Sequence, residues 1–426
     1  MDFFQIIGLI VFVLVYVCIS TDIINKTIVA LVGAAFFVVA GILSQEKAFE
    51  IIDWNVIFLL FSMMIIVGII KKTGLSQFVA IKAAKLVKGD PVKILVLFVI
   101  ITALFSALLG TVTTILLIVP VSILIAVELG ISPIPFIIAE AMAANIGGCA
   151  TLVGDATTIM IGSASKISFL DYMRYVDPIL GIVLVIFCGL IIFFFRKQLQ
   201  VTNEKKARIM DFDESKAIED MPLLIKSAII VALVLVGFLT HSITKLEPSS
   251  VALFGASVLM VLAGGKEVDH FFAEVEWGTL FFFVGLFTLV GGIVELGLIK
   301  KLGQFIIHLT GGNIKVTSIL MIWASGFFSA IVDNVPYVAT MIPLVKDLGA
   351  TLGDKAMLPL WLSLLLGADL GGNGTLVGAT ANVVSIGLAK KSGFNISFMD
   401  FTKYGAIITV INLIIVTILV FFIYLR

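Results

Sequence analysis

Two stretches of this sequence place glycines beside oxygen-bearing side chains within strongly apolar surroundings. Residues 145–157 read NIGGCATLVGDAT, and residues 369–381 read DLGGNGTLVGATA. Carboxylate, amide and hydroxyl oxygens bind hard cations and accept protons, and glycine permits a backbone that leaves helical geometry. We therefore interpret both stretches as candidate ion or substrate sites. The candidate residues are Asn145, Gly147, Gly148, Thr151, Asp155, Thr157 and Thr158 in and just after the first stretch, and Asp369, Gly371, Gly372, Asn373, Thr375 and Asn382 in and just after the second.

Two further carboxylates lie in apolar sequence. Asp333 precedes Asn334 within FSAIVDNVPYVATMIP (residues 328–343), and Glu140 lies before Asn145. A carboxylate inside a membrane is costly and is by default a functional hypothesis, so Asp333 and Asn334 are candidate ion ligands and Glu140 is a candidate proton carrier. The alternatives are a helix N-cap for an aspartate and a hydrogen-bonded glutamate without a transport role. The candidates for a sodium site are Asn145, Asp155, Asp333 and Asn334.

The elements that position these residues are predicted to be membrane helices. Hydrophobic residues make up 60% of the 426 residues, charged residues make up 13%, and the mean hydropathy is +1.20. A soluble domain is typically about 45–50% apolar and about 25% charged, whereas many stretches here approach the ~20 apolar residues that cross a bilayer. The formal net charge of zero gives no indication of a nucleic-acid partner. The sequence predicts an all-α polytopic protein whose partner is the lipid bilayer.

The chain is an internal duplication. Residues 53–120 align without gaps with residues 276–343 at a constant shift of 223, and residues 135–157 align with 359–381 at a shift of 224. The predicted units are 1–200 and 221–426, joined by a charged linker at 201–220. One glycine turn could join two ordinary helices, but two copies at matching positions favour a paired site.

Each unit shows the same order of predicted elements. In the first, a re-entrant hairpin covers 92–129 with its tip at 109–112, and a helix broken near the membrane midplane covers 133–166. Each unit therefore contains five transmembrane helices and one hairpin, and the odd number of crossings makes the two units inverted repeats. Basic residues cluster at 71–93 and in the linker, which places the linker in the cytoplasm and the protein in the cell membrane.

The motifs resemble those of the ion transporter superfamily, in its branch of arsenite permeases and NhaD-type antiporters, which also includes the pigmentation P protein. The resemblance spans nearly the whole chain. The resemblance implies a scaffold and a mobile transport domain with substrate bound between hairpin tips and broken helices, and a homodimer is expected through the scaffold. The motifs that carry it are AANIGGCATLVGDATTIMIGSAS (143–165), FSAIVDNVPYVATMIP (328–343) and GADLGGNGTLVGATANV (367–383).

The first half departs from this family pattern at two places. Its hairpin tip is Gly110-Thr111 where relatives commonly have Asp-Asn, and Gly154-Asp155-Ala156 stands where relatives have GDPPN. The more distant citrate and dicarboxylate carriers have Ser-Asn-Thr at their tips. Neither hairpin here has that motif, which disfavours a carboxylate substrate.

The predicted function is secondary active transport by alternating access, coupled to H⁺ or Na⁺ and without any other cofactor. The first substrate hypothesis is efflux of arsenite, antimonite or a similar small inorganic oxyacid, and the second is Na⁺/H⁺ antiport. Citrate or dicarboxylate transport and a passive channel are further alternatives. An enzyme is not predicted, because a GxGD protease needs glycine where Leu152 stands and no other catalytic constellation occurs.

Overall fold

The computed structural model describes residues 3–21, 23–264 and 268–425, and no β-strand occurs within these ranges. The predicted all-α fold is confirmed. Among the described residues, nine helices are long and apolar enough to cross a membrane. The first repeat contains α1 (Phe3–Thr21), α2 (Lys26–Val39), α3 (Gln45–Ile51), α4 (Trp54–Lys71), α5 (Leu75–Leu86), α6 (Pro91–Leu109), α7 (Thr111–Glu128), α8 (Ile134–Gly148), α9 (Ala156–Ser165) and α10 (Phe169–Phe195).

The second repeat follows the same order after a short linker. The linker holds α11 (Asn203–Arg208) and two 3₁₀ turns, Ile209–Asp211 and Glu214–Ala217. The repeat itself contains α12 (Met221–Leu239), α13 (His241–Thr244), α14 (Pro248–Leu262), α15 (Val268–Phe272), α16 (Trp277–Glu295), α17 (Leu298–Thr310), α18 (Ile314–Ile331), α19 (Asn334–Leu352), α20 (Asp354–Gly371), the 3₁₀ turns Gly372–Gly374 and Leu376–Gly378, α21 (Thr380–Lys391) and α22 (Phe398–Tyr424).

The two hairpins turn by different means. The first hairpin joins α6 to α7 at Gly110, whose φ of +90° is available to glycine. The second joins α18 to α19 through Val332 and Asp333, and Asp333 accepts a hydrogen bond from the Val335 amide at 3.1 Å as the N-cap of α19. The sequence predicts both turns, but only the structure shows that the first depends on a positive φ.

The helices form two groups, and the repeats interlock in both. The peripheral layer consists of α1, α2, α4, α12, α14 and α16; in it, α2 packs on α16 and α14 packs on α4. The inner group contains the hairpins, the broken helices, α10 and α22. There α6 packs on α8 and α18 on α20, while α9 packs on α19 and α21 on α7. Each broken helix therefore contacts both hairpins, so the region between them is built by the two repeats together.

The first glycine of each pair serves close packing of helices. We expected Gly147 and Gly148 to free the backbone, but α8 stays helical through Gly148, and α20 stays helical through Gly371. A Cβ on Gly147 would overlap the Ala103 backbone of α6. A Cβ on Gly371 would lie 2.6 Å from the Gly326 Cα of α18. Gly147 and Gly371 therefore let each helix approach its hairpin closely. The first break follows Gly148, whereas the second begins at Gly372, in the 3₁₀ turn Gly372–Gly374.

The linker lies against the first repeat. Lys85 of α5 donates a hydrogen bond to Glu214 at 2.5 Å, and Lys206 pairs with Asp90 at 3.0 Å. The Lys85 ammonium lowers the pKa of the Glu214 carboxyl below its ordinary value. The charged linker predicted from the sequence therefore makes specific contacts with α5 and with the start of α6.

Candidate ion and substrate site

Both helix breaks and both hairpin tips meet around one acidic pair. Asp155 occupies the N-cap of α9, where its N–H donates to Thr158 Oγ1 at 3.1 Å. Thr111, the first residue of α7, donates to Asp155 Oδ1 at 2.7 Å. Asp369, near the end of α20, is buried. The first tip, the first break and the second broken helix thus contribute to the same place.

One threonine bridges the two carboxyl groups. Thr157 Oγ1 lies 2.9 Å from Asp155 Oδ2 and 2.7 Å from Asp369 Oδ1. Because a hydroxyl carries a single hydrogen, both contacts are hydrogen bonds only when one of the carboxyl groups carries a proton. The Asn334 amide nitrogen, from the second tip, lies 3.3 Å from Asp155 Oδ2 and 3.4 Å from Asp369 Oδ1. The arrangement can hold a proton between two repeats.

One carboxylate oxygen of the acidic pair has no hydrogen-bond partner among the described residues. Asp369 Oδ2 is buried and accepts no hydrogen bond from the described residues. A buried carboxylate oxygen without a partner is costly, so this atom is available to a proton, an ion or a bound hydroxyl group. It lies in the same constellation as Asp155 and Thr157, which makes the constellation a candidate for binding chemistry as well as for structure.

Three asparagines form a separate amide cluster. The Asn145 amide donates to Asn373 Oδ1 at 2.8 Å and to Asn382 Oδ1 at 3.1 Å. Asn382 in turn donates to the carbonyls of Gly372 and Thr375 at 2.9 and 3.0 Å. Asn373 donates to the Met142 carbonyl at 3.2 Å. This cluster satisfies backbone groups that the second break exposes and joins α8 to both sides of that break.

Matched hydroxyl groups hold the hairpins against the broken helices. Ser106 donates to the Ala144 carbonyl, and Ser329, at the equivalent position, donates to the Ala368 carbonyl, both at 2.6 Å. Thr151 donates to the carbonyl of Ala107. Its counterpart in the second repeat makes the same bond, from Thr375 to Ala330. Thr151 and Thr375, predicted as ligands, therefore act in this conformation as positioning residues.

Asp333 contacts a lysine and a threonine rather than the acidic pair. Its Oδ2 accepts hydrogen bonds from Thr380 at 2.7 Å and from Lys26 at 3.2 Å. Lys26 begins α2 in the peripheral layer and also donates to Thr380 Oγ1 at 3.0 Å. Sequence reasoning did not select Lys26 or Thr380. The available signals were a lysine at the start of an apolar span and a hydroxyl directly after the second glycine motif.

Glu140 lies inside the inner group, apart from the acidic pair along α8. It is fully buried, and Ser122 of α7 donates to its Oε1 at 2.5 Å. Its Oε2 has no hydrogen-bond partner among the described residues. The contact supports both earlier interpretations, since a hydrogen-bonded glutamate with one free oxygen can also accept a proton.

A small cavity borders the acidic pair, the amide cluster and the contact between Lys26 and Thr380. Its volume is about 70 Å³, far below the roughly 300 Å³ at which pockets for drug-sized ligands begin. The polar residues that line the small cavity are Lys26, Thr111, Asn145, Asp155, Asn334 and Thr380, with Glu276 and Thr279 from α16.

A second cleft of about 480 Å³ lies between α4, α9 and the start of α14 and includes Lys166, His241 and Lys245.

The four predicted sodium ligands are thus placed in three different surroundings. Asp155 and Asn334 are in direct contact, Asn145 belongs to the amide cluster, and Asp333 is paired with Lys26. Three of them, Asn145, Asp155 and Asn334, line the same cavity. The assignment of these four residues to a sodium site remains a prediction.

Residues 16–367 match the family profile described as Citrate transporter. The chain belongs to this citrate transporter family. An uncharacterised transporter of Mycobacterium tuberculosis is 43% identical over 414 residues, covering 96% of both chains. A 46 kDa membrane protein of Mycobacterium leprae is 44% identical with the same coverage. The family and its members make this chain a multi-pass membrane transporter rather than an enzyme.

Two more distant similarities extend the comparison. The P protein of Mus musculus is 30% identical over 473 residues, which cover 92% of this chain and 57% of that protein. The crystal structure of the YdaH transporter of Alcanivorax borkumensis superimposes with a TM-score of 0.59 at 13% identity, covering 91% of this chain and 87% of that one. At that identity the likeness concerns the fold alone. The P protein similarity supports the superfamily resemblance, whereas the family profile carries the citrate description.

Proposed function

We propose that this protein is a cation-coupled secondary transporter that works by alternating access, with a small inorganic oxyacid such as arsenite or antimonite as its first candidate substrate. The observation that carries the proposal is Thr157 placed between Asp155 and Asp369, because this geometry favours a proton shared by two repeats. A proton bound where both repeats meet can change the energy of the inner group relative to the peripheral layer.

The charge of the cavity supports this substrate class. Asp155 and Glu276 line it, Asp369 adjoins it, and Lys26 is the basic residue among its lining groups. A trivalent carboxylate would be repelled by this set unless cations bind with it. The trihydroxy acids of arsenic and antimony are uncharged near neutral pH and offer hydroxyl groups to carboxylates and amides. A cavity of about 70 Å³ has room for such a molecule or for an ion with few waters.

Citrate is the second candidate, and two observations favour it. The family profile is described as Citrate transporter, and the 480 Å³ cleft is wide enough for a small organic acid and includes Lys166, His241 and Lys245. Basic groups at a cleft raise the local concentration of an anionic substrate. Na⁺/H⁺ antiport remains the third candidate, supported by the oxygen-rich cavity. We place the protein in the cell membrane with its linker in the cytoplasm, on the distribution of basic residues.

Transport assays in sealed proteoliposomes test the proposal. Wild type should accumulate one of arsenite, antimonite, citrate or Na⁺ against its gradient when a pH or sodium gradient is imposed. Asp369→Asn should reduce this uptake about 100-fold, which corresponds to about 3 kcal/mol. Asp211→Asn, at an exposed linker position, is the matched control and should transport normally. Uptake that only follows the substrate's own gradient would indicate a channel, and gradient-driven uptake by Asp369→Asn would contradict the assigned role.

A further inference from the structure

Lys26 connects the peripheral layer to the second hairpin tip. It begins α2, and its ammonium reaches Asp333 Oδ2 at 3.2 Å and Thr380 Oγ1 at 3.0 Å. The ammonium also lies 5.3 Å from the centre of the Phe282 ring of α16, within range of a cation–π contact. The side chains of Lys26 and Asp333 are 30% and 13% exposed. A single cation thus joins two peripheral helices to the tip of α19 and the start of α21.

This arrangement occurs in only one repeat. Residues 28–42 align with residues 250–264 at a shift of 222, so Pro248 is the equivalent of Lys26. The shifts of 223 and 224 give Gly110 as the equivalent of Asp333 and Ala156 as that of Thr380. None of the three can form an ion pair. The backbone framework is duplicated, whereas the ion pair between Lys26 and a hairpin tip has no equivalent at the first tip. If the contact served packing alone, we would expect an apolar contact at the equivalent position of the first tip. The first tip is loosely packed instead, because a Cβ added at Gly110 would meet nothing closer than 3.9 Å.

The ammonium occupies a place suited to a free monovalent cation. It lies between a carboxylate oxygen and a hydroxyl oxygen beside the small cavity, and Thr380 itself donates to the same carboxylate at 2.7 Å. A sodium ion at that place would use the same oxygens. A partly exposed ion pair contributes little to stability, so stability alone is a weak reason for the pairing.

We propose that Lys26 is a tethered counter-cation that competes with Na⁺ for Asp333. When Na⁺ binds Asp333, the ammonium leaves, and the second tip with the start of α21 is released from the peripheral layer. When Na⁺ departs, Lys26 closes the contact again. The inference rests on the cation coupling of the proposed function and takes Na⁺ as one coupling ion. It adds the residue that links ion occupancy to the movement of the inner group.

Sodium titration of the purified protein tests this competition without any substrate. The melting temperature is measured against NaCl, with choline chloride keeping the ionic strength constant, because a ligand that binds the folded state raises the melting temperature. Lys26→Gln should lower the Na⁺ concentration that produces a given rise in melting temperature about tenfold if the pair is closed about nine-tenths of the time. Lys26→Arg should resemble wild type. Lys47→Gln, which removes an exposed ion pair with Glu295, is the matched control and should leave the titration unchanged.

Two further variants separate competition from a structural role. In an Asp333→Asn background, Lys26→Gln should have no effect on the Na⁺ titration, because the carboxylate for which Lys26 and Na⁺ compete is absent.

Chemical modification of a cysteine at position 26 gives a second test. In a background with Cys18 and Cys188 replaced by alanine, Lys26→Cys should behave like Lys26→Gln. Treatment with 2-aminoethyl methanethiosulfonate, which restores an ammonium, should return the wild-type titration, whereas methyl methanethiosulfonate should not. This comparison uses one folded polypeptide and therefore holds even if Lys26→Gln folds poorly.

The outcomes distinguish this inference from the proposed function. If the same Na⁺ concentrations raise the melting temperature of wild type and Lys26→Gln equally, or if neither shows a Na⁺-specific shift, the role of Lys26 is overturned while proton-driven transport stays intact. Conversely, a Na⁺ titration that depends on the charge at position 26 supports the counter-cation even if none of the tested substrates is transported.

Discussion

The two hairpin tips occupy equivalent places but have different chemistry. The first tip is Gly110 with a positive φ, and its neighbour Thr111 donates to Asp155. The second tip is Asp333, which caps α19 with one oxygen and binds Lys26 and Thr380 with the other. The first tip therefore supplies a donor to a carboxylate elsewhere, and the second tip supplies the carboxylate itself.

The difference extends to the helices behind the tips. The duplicated hydroxyl groups, such as Ser106 and Ser329, make identical bonds in both repeats. By contrast, Ser122 and Glu140 of the first repeat correspond to the buried, apolar Val345 and Leu364 of the second. Backbone geometry must be preserved for two hairpins to meet two breaks, but a single site needs each ionisable group only once. The backbone framework is therefore shared by the two repeats, whereas each of these ionisable groups occurs in only one of them.

The largest expected effect concerns the second tip. Asp333→Asn keeps the N-cap acceptor, since asparagine caps helices as well as aspartate, but removes the charge that Lys26 contacts. Transport should fall about 100-fold, equivalent to about 3 kcal/mol, with little change in melting temperature. Asp220→Asn, at the exposed N-cap of α12, is the matched control. Comparable losses in both variants would show that capping, not the ion chemistry of the tip, explains the result.

A second variant makes the first repeat resemble the second. Replacing Ser122 and Glu140 by valine and leucine together substitutes a buried polar pair with the apolar pair found at 345 and 364. Stability should be unchanged or higher, because well-packed apolar groups often replace buried charged groups without loss. Proton-driven transport should fall about tenfold or more if Glu140 carries a proton. Full transport by the stable double variant would assign Glu140 a packing role.

The smallest expected effect concerns the conformation of the first tip. Gly110→Ala forces a side chain into a positive φ and should reduce stability by about 1–2 kcal/mol, measured by thermal unfolding. Transport by the folded fraction should decrease only a few-fold, because Gly110 offers no ligand atom. Gly181→Ala in α10, where a Cβ meets nothing within 4 Å, should be neutral or stabilising. A transport loss in Gly110→Ala as large as that in Asp333→Asn would contradict the proposal that the second tip, and not the first, carries the ion chemistry.

The sequence by itself determined the elements of this protein. The hairpin predicted at 92–129 corresponds to α6 and α7, and the broken helix predicted at 133–166 corresponds to α8 and α9. These features are local, because the length of an apolar run and the positions of glycine and capping residues decide where a membrane helix begins, breaks and ends. The duplication also predicts two inverted units, because each predicted unit crosses the membrane an odd number of times.

Only the tertiary structure decided which polar groups meet. Thr157 and Asp369 are 212 residues apart, and Lys26 and Asp333 are 307 residues apart, so no local pattern could pair them. The pairing follows from the interlocking of the repeats, in which each broken helix packs on the hairpin of the other half. In the same packing, Gly147 and Gly371 lie at close contacts between helices, and Asp333 contacts a lysine of the peripheral layer. The candidate residues were visible in the sequence, but their partners depend on contacts between elements far apart in the chain.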